Sequence, residues 1–180
     1  MDRLKRAALL TRLIEELQEH GSWCGETHIQ KSTFFLQHLT CVPFDFEFIL
    51  YKHGPYSFDL RDELTSLRAD ELLELEPRYP YGPGIVPTER SEYIQGACSK
   101  TVRKYEGQIA YVSKKLGGKE VADLERLATA YLVTLSGKSS AKRRARKLTE
   151  LKPHISPEAA KRAVHEVDRM IEEVQEGAYS

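Results

Sequence analysis

Hydrophobic residues in this chain recur with two periods, and the switches between them set the expected architecture. Leu10, Leu13, Ile14 and Leu17 recur at helical spacing and predict a helix over about residues 3–20, with Gly21 placed to end it. Ile29, Phe35, Leu36 and Leu39 supply the inner face of a second helix over about 27–40, with Thr27 as N-cap. The period then drops to two. Phe44, Phe46, Phe48 and Leu50 fall on one side of a segment that reads as a half-buried strand over 44–51. Gly54-Pro55 punctuates the chain as a structural turn, and Ser57 stands where an N-cap would. Leu60, Leu64 and Leu67 then restore the helical period over about 57–68. Residues 72–76 and 85–87 read as two short strands around the loop 77–84. Helix, helix, strand, helix, ribbon is the winged-helix order.

From residue 99 onward only the helical period remains. Val102, Tyr105, Ile109, Val112 and Leu116 are spaced 3, 4, 3, 4, and Val121, Leu124, Ala128, Tyr131 and Leu135 repeat that spacing after Gly117-Gly118. The pattern predicts an antiparallel hairpin in which Tyr105, Ile109 and Val112 meet Ala128, Tyr131 and Leu135. A basic helix is expected over about 139–151, broken by Lys152-Pro153. Ser156-Pro157 opens a last helix, with Ser as N-cap and Pro at its first position. The expected fold class is mainly α (α+β). A winged-helix core with a small β-ribbon fills residues 1–98, and a helical extension, 99–180, packs on it.

Charge divides along the same boundary. Residues 1–98 hold 10 Lys and Arg against 16 Asp and Glu, a net −6, and residues 99–180 hold 17 against 11, a net +6. The halves should attract one another or present faces of opposite sign to partners. The hydrophobic share of 41% and charged share of 30% predict a globular chain. No apolar run reaches a membrane span of about 20 residues, so no membrane partner is expected. Three scattered cysteines, Cys24, Cys41 and Cys98, lack CxxC spacing; idle thiols in a reducing cytoplasm are expected, with no metal or cofactor.

Three stretches carry a resemblance to a known family. Tyr51-Lys52-His53-Gly54-Pro55-Tyr56-Ser57 with its flanking strand and helix, Leu124-Glu125-Arg126-Leu127-Ala128-Thr129, and Leu151-Lys152-Pro153-His154-Ile155-Ser156 resemble the YwgA-like proteins of bacteria and archaea. The chain is more distantly similar to Panacea-type antitoxin domains. The resemblance implies a winged-helix core and a prokaryotic accessory protein associated with mobile or defence genes. It supplies no catalytic residues.

Two binding chemistries follow from the residues themselves. In a winged helix, the third helix would offer Tyr56, Ser57, Arg61 and Arg68, and the ribbon tip Arg78, Tyr79 and Tyr81, with Arg90 after it. The same helix region carries Asp59, Asp62, Glu63 and Asp70, which weakens it as a phosphate clamp. Lys138, Lys142, Arg143, Arg144, Arg146 and Lys147 place six positive charges in ten residues. They suit a nucleic-acid backbone, an acidic partner, or only a solvated face that balances the acidic half. His28, His38, His53, His154 and His165 show no HExxH or paired metal spacing, and no GxSxG or P-loop occurs. Trp23 caps the core or anchors a partner. The expectation is a non-enzymatic module that binds another protein, a toxin or a complex subunit, as an antitoxin-like or adaptor protein. A DNA-binding regulator is the alternative, and a homodimer a candidate assembly.

Overall fold

The computed structural model describes residues 1–137 and 139–179, and Lys138 of the basic run lies outside them. The Asp2 carboxylate accepts from the Lys5 N–H at 3.0 Å and starts α1, Arg3–Glu19. Gly21 ends it at φ +90°: its N–H reaches the Gln18 carbonyl (2.9 Å) and the Ser22 N–H reaches Leu17 (3.0 Å), a left-handed cap that favours glycine. Helix α2, Glu26–His38, is sheathed so fully that His28, Gln30, Lys31, Ser32 and Thr33 are buried with its apolar residues. Gly25, not Thr27, is its N-cap.

The expected strand 44–51 pairs only at its end. Burial does alternate from Val42 to Phe48, with Phe44 and Phe46 inside. Cys41 (φ 58°) and Asp45 (φ 63°), however, turn the backbone out of register for a ladder. In place of a neighbouring strand, the Gln37 side chain donates to the Phe46 carbonyl (2.8 Å) and accepts from its N–H (2.9 Å). Strand β1, Ile49–Tyr51, then pairs antiparallel with β2, Gly54–Tyr56. Gly54-Pro55 is therefore not the turn. The turn is Lys52-His53, and Pro55 lies within a strand opposite Leu50. An antiparallel ladder leaves every second pair unbonded, so a residue without an N–H fits there.

Helix α3, Phe58–Ala69, is capped by Ser57 and buries Leu60, Leu64 and Leu67 as the spacing predicts. Strands β3, Leu73–Glu76, and β4, Gly84–Pro87, form a second two-stranded sheet, separate from β1–β2. Helix α4, Glu89–Ala97, carries no signal in the hydrophobic pattern, since Ser91 is its single buried residue. Then follow α5, Ser99–Leu116; α6, Val121–Leu135; α7, Ala141–Leu151; and α8, Pro157–Gln175, with Ser156 and Pro157 as its cap and first residue. Among the described residues the chain is mainly helical.

The expected α5–α6 hairpin does not form. Helix α5 packs on α1 and α2, whereas α6 packs on α2, α7 and α8. Ile109 is fully buried, but Leu135 is 46% exposed. Helix α2 lies between the two, buried around most of its circumference, and receives the apolar stripe of each. One hydrophobic cluster runs from Ala7 through α6 to Met170 and draws on both 1–98 and 99–180.

Candidate functional site

The β1–β2 hairpin is held to the helices by polar side chains rather than by an apolar face. From α2, the Lys31 ammonium donates to the Pro55 carbonyl at 2.9 Å. The Gln30 amide brackets Ser57, donating to its carbonyl (2.8 Å) and accepting from its N–H (2.9 Å). Just past α7, the Lys152 ammonium donates to the Lys52 carbonyl at the turn and to the Glu125 carboxylate of α6 at 2.7 Å. The exposed His53 ring lies 3.4 Å from the same carboxylate. Burial holds the Lys31 ammonium down, to about 8. Burial pushes the Glu125 carboxyl up, but the Lys152 ammonium and then His53 more than offset it, leaving a carboxylate below its ordinary range. Gly54 closes the contact. It sits at φ +87°, and a Cβ there would lie 2.8 Å from Thr129 Oγ1 and 3.4 Å from the Glu125 carbonyl.

Lys31, Gln30, Glu125 and Lys152 were not singled out by sequence reasoning. Their only signal is that Glu125 and Lys152 lie in two of the three stretches quoted for the family resemblance. Those stretches, far apart in sequence, converge on the hairpin.

The latch presents β1 outward. Ile49, Leu50 and Tyr51 are 42%, 40% and 52% exposed. On one side of the hairpin, Tyr51, Tyr56 and Phe58 form a ring cluster with centroids 5.1 to 5.5 Å apart. The Arg61 guanidinium lies 5.1 Å over Phe58 and also pairs with Asp62. The Tyr56 hydroxyl donates to Glu26 at 2.7 Å, and burial together with Glu26 pushes its pKa up to about 12. Ser57 is fully buried as the α3 cap, so it is a structural residue and not a surface contact. Gly54 and Pro55 are likewise buried.

On the other side, Leu50 faces a groove of about 710 Å³ floored by Leu132, Val133 and Ser136 of α6 and walled by α7. Arg143, Arg146, Lys147 and Glu150 line that wall. Arg146 and Lys147 share Glu150, at 3.2 and 3.8 Å, and remain 83% and 58% exposed. Lys142 is exposed on the same helix. Arg144 is not part of this surface. It turns inward with Ala145 and Leu148, and Asp168 grips it bidentately at 2.6 and 2.9 Å. A buried guanidinium needs such a partner.

The ribbon tip is a third, separate surface. Tyr81 stacks on Trp23 at 5.6 Å, Arg78 lies 5.8 Å over the same indole, and Tyr79 is 98% exposed. Arg90 pairs with Glu71 beside the ribbon's base. The exposed flank of α3 carries Asp59 and Asp62. Cys24 is buried, Cys98 half-buried and Cys41 exposed, all as free thiols. Among the described residues no group of three or more His, Cys, Asp or Glu could hold a metal, and no helix is long and apolar enough to cross a membrane.

No protein-family model matches this chain, and no curated protein matches it. The site's own geometry carries the functional argument.

Proposed function

We propose that this chain is a non-enzymatic accessory protein that acts by binding another protein, as an antitoxin-like or adaptor subunit. One observation carries the reading: Ile49, Leu50 and Tyr51, three consecutive large side chains, stand exposed on a hairpin fixed from beneath by the Lys31 ammonium and the buried Lys152–Glu125 ion pair. Exposed apolar side chains on a rigid support are what a protein interface uses. Lys31, whose pKa burial lowers to about 8, is spent on holding the hairpin and is 1% exposed, out of reach of a substrate. Kinship with YwgA-like proteins, and with it a prokaryotic, defence-associated role, belongs to the same proposal.

The charge pattern favours protein over nucleic acid. Of the α7 cations, Arg144 is committed to Asp168, and Arg146 and Lys147 share Glu150. The exposed flank of α3 that a winged helix would insert into a groove sets Asp59 and Asp62 against Arg61 and Arg68, and so offers no net positive charge. One observation favours the second reading, a winged-helix nucleic-acid-binding regulator: the exposed Tyr79 and the Tyr81–Trp23–Arg78 stack resemble a platform on which single-strand bases stack.

A gel-shift titration at low ionic strength with duplex DNA, single-stranded DNA and RNA separates the two. The protein-binding reading expects no salt-sensitive shift. It expects a stoichiometric protein captured by wild type and lost when the exposed β1 face is removed as a whole by Ile49→Ser with Leu50→Ser and Tyr51→Ser. Micromolar binding to nucleic acid that falls steeply with salt, and is lost on Arg143→Glu with Arg146→Glu and Lys147→Glu, would overturn it.

A further inference from the structure

We propose that the groove between β1 and α7 is a docking site for an acidic segment of a partner protein, seated by one large apolar side chain with carboxylates on either side of it. The inference rests on the protein-binding reading and names the site and the chemistry of its occupant.

The groove's two kinds of lining ask for two kinds of group. Leu50 projects from β1, 40% exposed, and Leu132 and Val133 of α6 make the floor beneath it. The remaining wall is α7, where Arg143, Lys147 and Glu150 recur at i, i+4 and i+7 with Arg146 beside them. Such spacing puts all four on one helix flank. Three cations face one carboxylate, so the wall is left with a net positive charge of two. Arg143 enters none of the ion pairs found among the described residues, and it lies exposed at the groove's edge. An apolar anchor would cover Leu50 and Leu132, and carboxylates flanking it would reach Arg143 on one side and Arg146 with Lys147 on the other. Arginine binds such carboxylates through two parallel hydrogen bonds.

Charge complementarity selects this occupant over other polyanions. A nucleic-acid backbone presents phosphates at every step and no aliphatic side chain, so seating it would bury Leu50 and Leu132 against charge. The groove is also preformed. Lys152 and Lys31 fix the hairpin that carries Leu50, and the Arg144–Asp168 pair fixes α7 on α8. Binding thus demands little ordering from this side, which leaves more of the interaction as net affinity.

A random 16-residue peptide library displayed on phage and selected on the immobilised full-length chain tests the proposal. The expected winners share a Leu, Ile, Phe or Met flanked by two or more Asp or Glu. Synthesised with a fluorophore, they should bind in a polarisation titration and weaken as salt is raised. Arg143→Glu and Arg146→Glu should each weaken them by at least about tenfold, as should Leu50→Ser, whereas Tyr51→Ala on the other side of the hairpin should not. Circular dichroism and thermal melts of each variant check that the fold is intact; all four positions are exposed or half-exposed. Winners without acidic bias, or winners indifferent to Arg143 and Arg146 but lost on Tyr51→Ala, sink the groove and leave the protein-binding reading standing. Self-association that rises with concentration and vanishes on Arg143→Glu makes a second copy the occupant and also overturns the proposal. Failure to select any peptide overturns it too, and salt-sensitive nucleic-acid binding in the same preparation overturns both.

Discussion

The two hairpins of this protein solve the same problem in opposite ways. The β3–β4 ribbon is attached by apolar residues at its base, Leu73 and Ile85, and by a backbone bond from the Ile85 N–H to the Cys24 carbonyl (3.0 Å), while its tip rests Tyr81 and Arg78 on the Trp23 ring and leaves Tyr79 in solvent. The β1–β2 hairpin has little apolar face turned inward. It is held at its turn and along β2 by the ammoniums of Lys31 and Lys152, and Glu125 compensates the charge. The ribbon therefore costs nothing in buried charge but leaves its tip loosely tied. The hairpin carries a desolvation cost and gains a fixed orientation, which lets β1 show apolar side chains outward without collapsing onto the core. The Gly54 approach to Thr129 and Glu125 depends on that orientation.

The sharpest way to break the contrast is to remove the anion that compensates the lysines holding the hairpin. Glu125→Ala leaves the Lys152 ammonium buried without a counter-charge and should destabilise the fold by about 3–5 kcal/mol in a urea titration. Glu71→Ala, which removes the exposed partner of Arg90 beside the ribbon, should cost no more than about 1 kcal/mol. Equal effects would mean that the Glu125 cluster holds nothing.

Gly54→Val comes next. Its φ of +87° and the 2.8 Å approach to Thr129 combine backbone strain with overpacking, for an expected loss of about 2–4 kcal/mol. Gly82→Ala in the ribbon tip, where a Cβ meets nothing within 4 Å, should stay within about 0.5 kcal/mol. An unchanged melting temperature for Gly54→Val would show that the hairpin is not anchored as described.

The Lys31 charge should be visible in the pH dependence. With its pKa lowered by burial from 10.5 to about 8, the folded chain binds fewer protons than the unfolded chain between those values, so stability should rise with pH there. Cys24, pushed up by burial from 9.0 to about 11, acts oppositely: the unfolded thiol ionises first, and stability falls as pH passes 9.0. The window from pH 8 to 9 thus isolates Lys31, with a rise of at most about 1.4 kcal/mol per pH unit. Lys31→Met should flatten it, as read from denaturant midpoints at closely spaced pH values. A slope that survives the substitution would assign the rise to another group.

The smallest effect separates the two sides of α7. Arg143→Ala on the groove side should leave the melting temperature nearly unchanged. Arg144→Ala strands Asp168 and should lower it measurably, which differential scanning fluorimetry can resolve. For the same reason, a basic-cluster variant that includes Arg144 confounds binding with folding.

The sequence by itself determined where most helices lie and which of their faces are buried. Period, caps and breakers act within a turn or two of the residue that carries them: Gly21 ends α1, Ser57 caps α3, and Ser156-Pro157 starts α8. It also marked the β1–β2 stretch as distinctive. Helix α4 escaped because a surface helix with one buried serine has no apolar period to read. Tertiary structure alone decided the rest. The alternation of Phe44, Phe46 and Phe48 fixed which side chains go inward, but whether that segment joined a ladder depended on Gln37 taking a strand's place. The 3, 4, 3, 4 spacing of α5 and α6 fixed a buried stripe on each without saying that α2 would receive both. Six basic residues within ten positions look alike in sequence, yet Arg144 became structural because Asp168, 24 residues away, lies opposite it. Lys31, Glu125 and Lys152 found one another across three elements. A buried charge is tolerated only where distant partners converge on it, and that convergence is a property of the packed chain rather than of any segment in it.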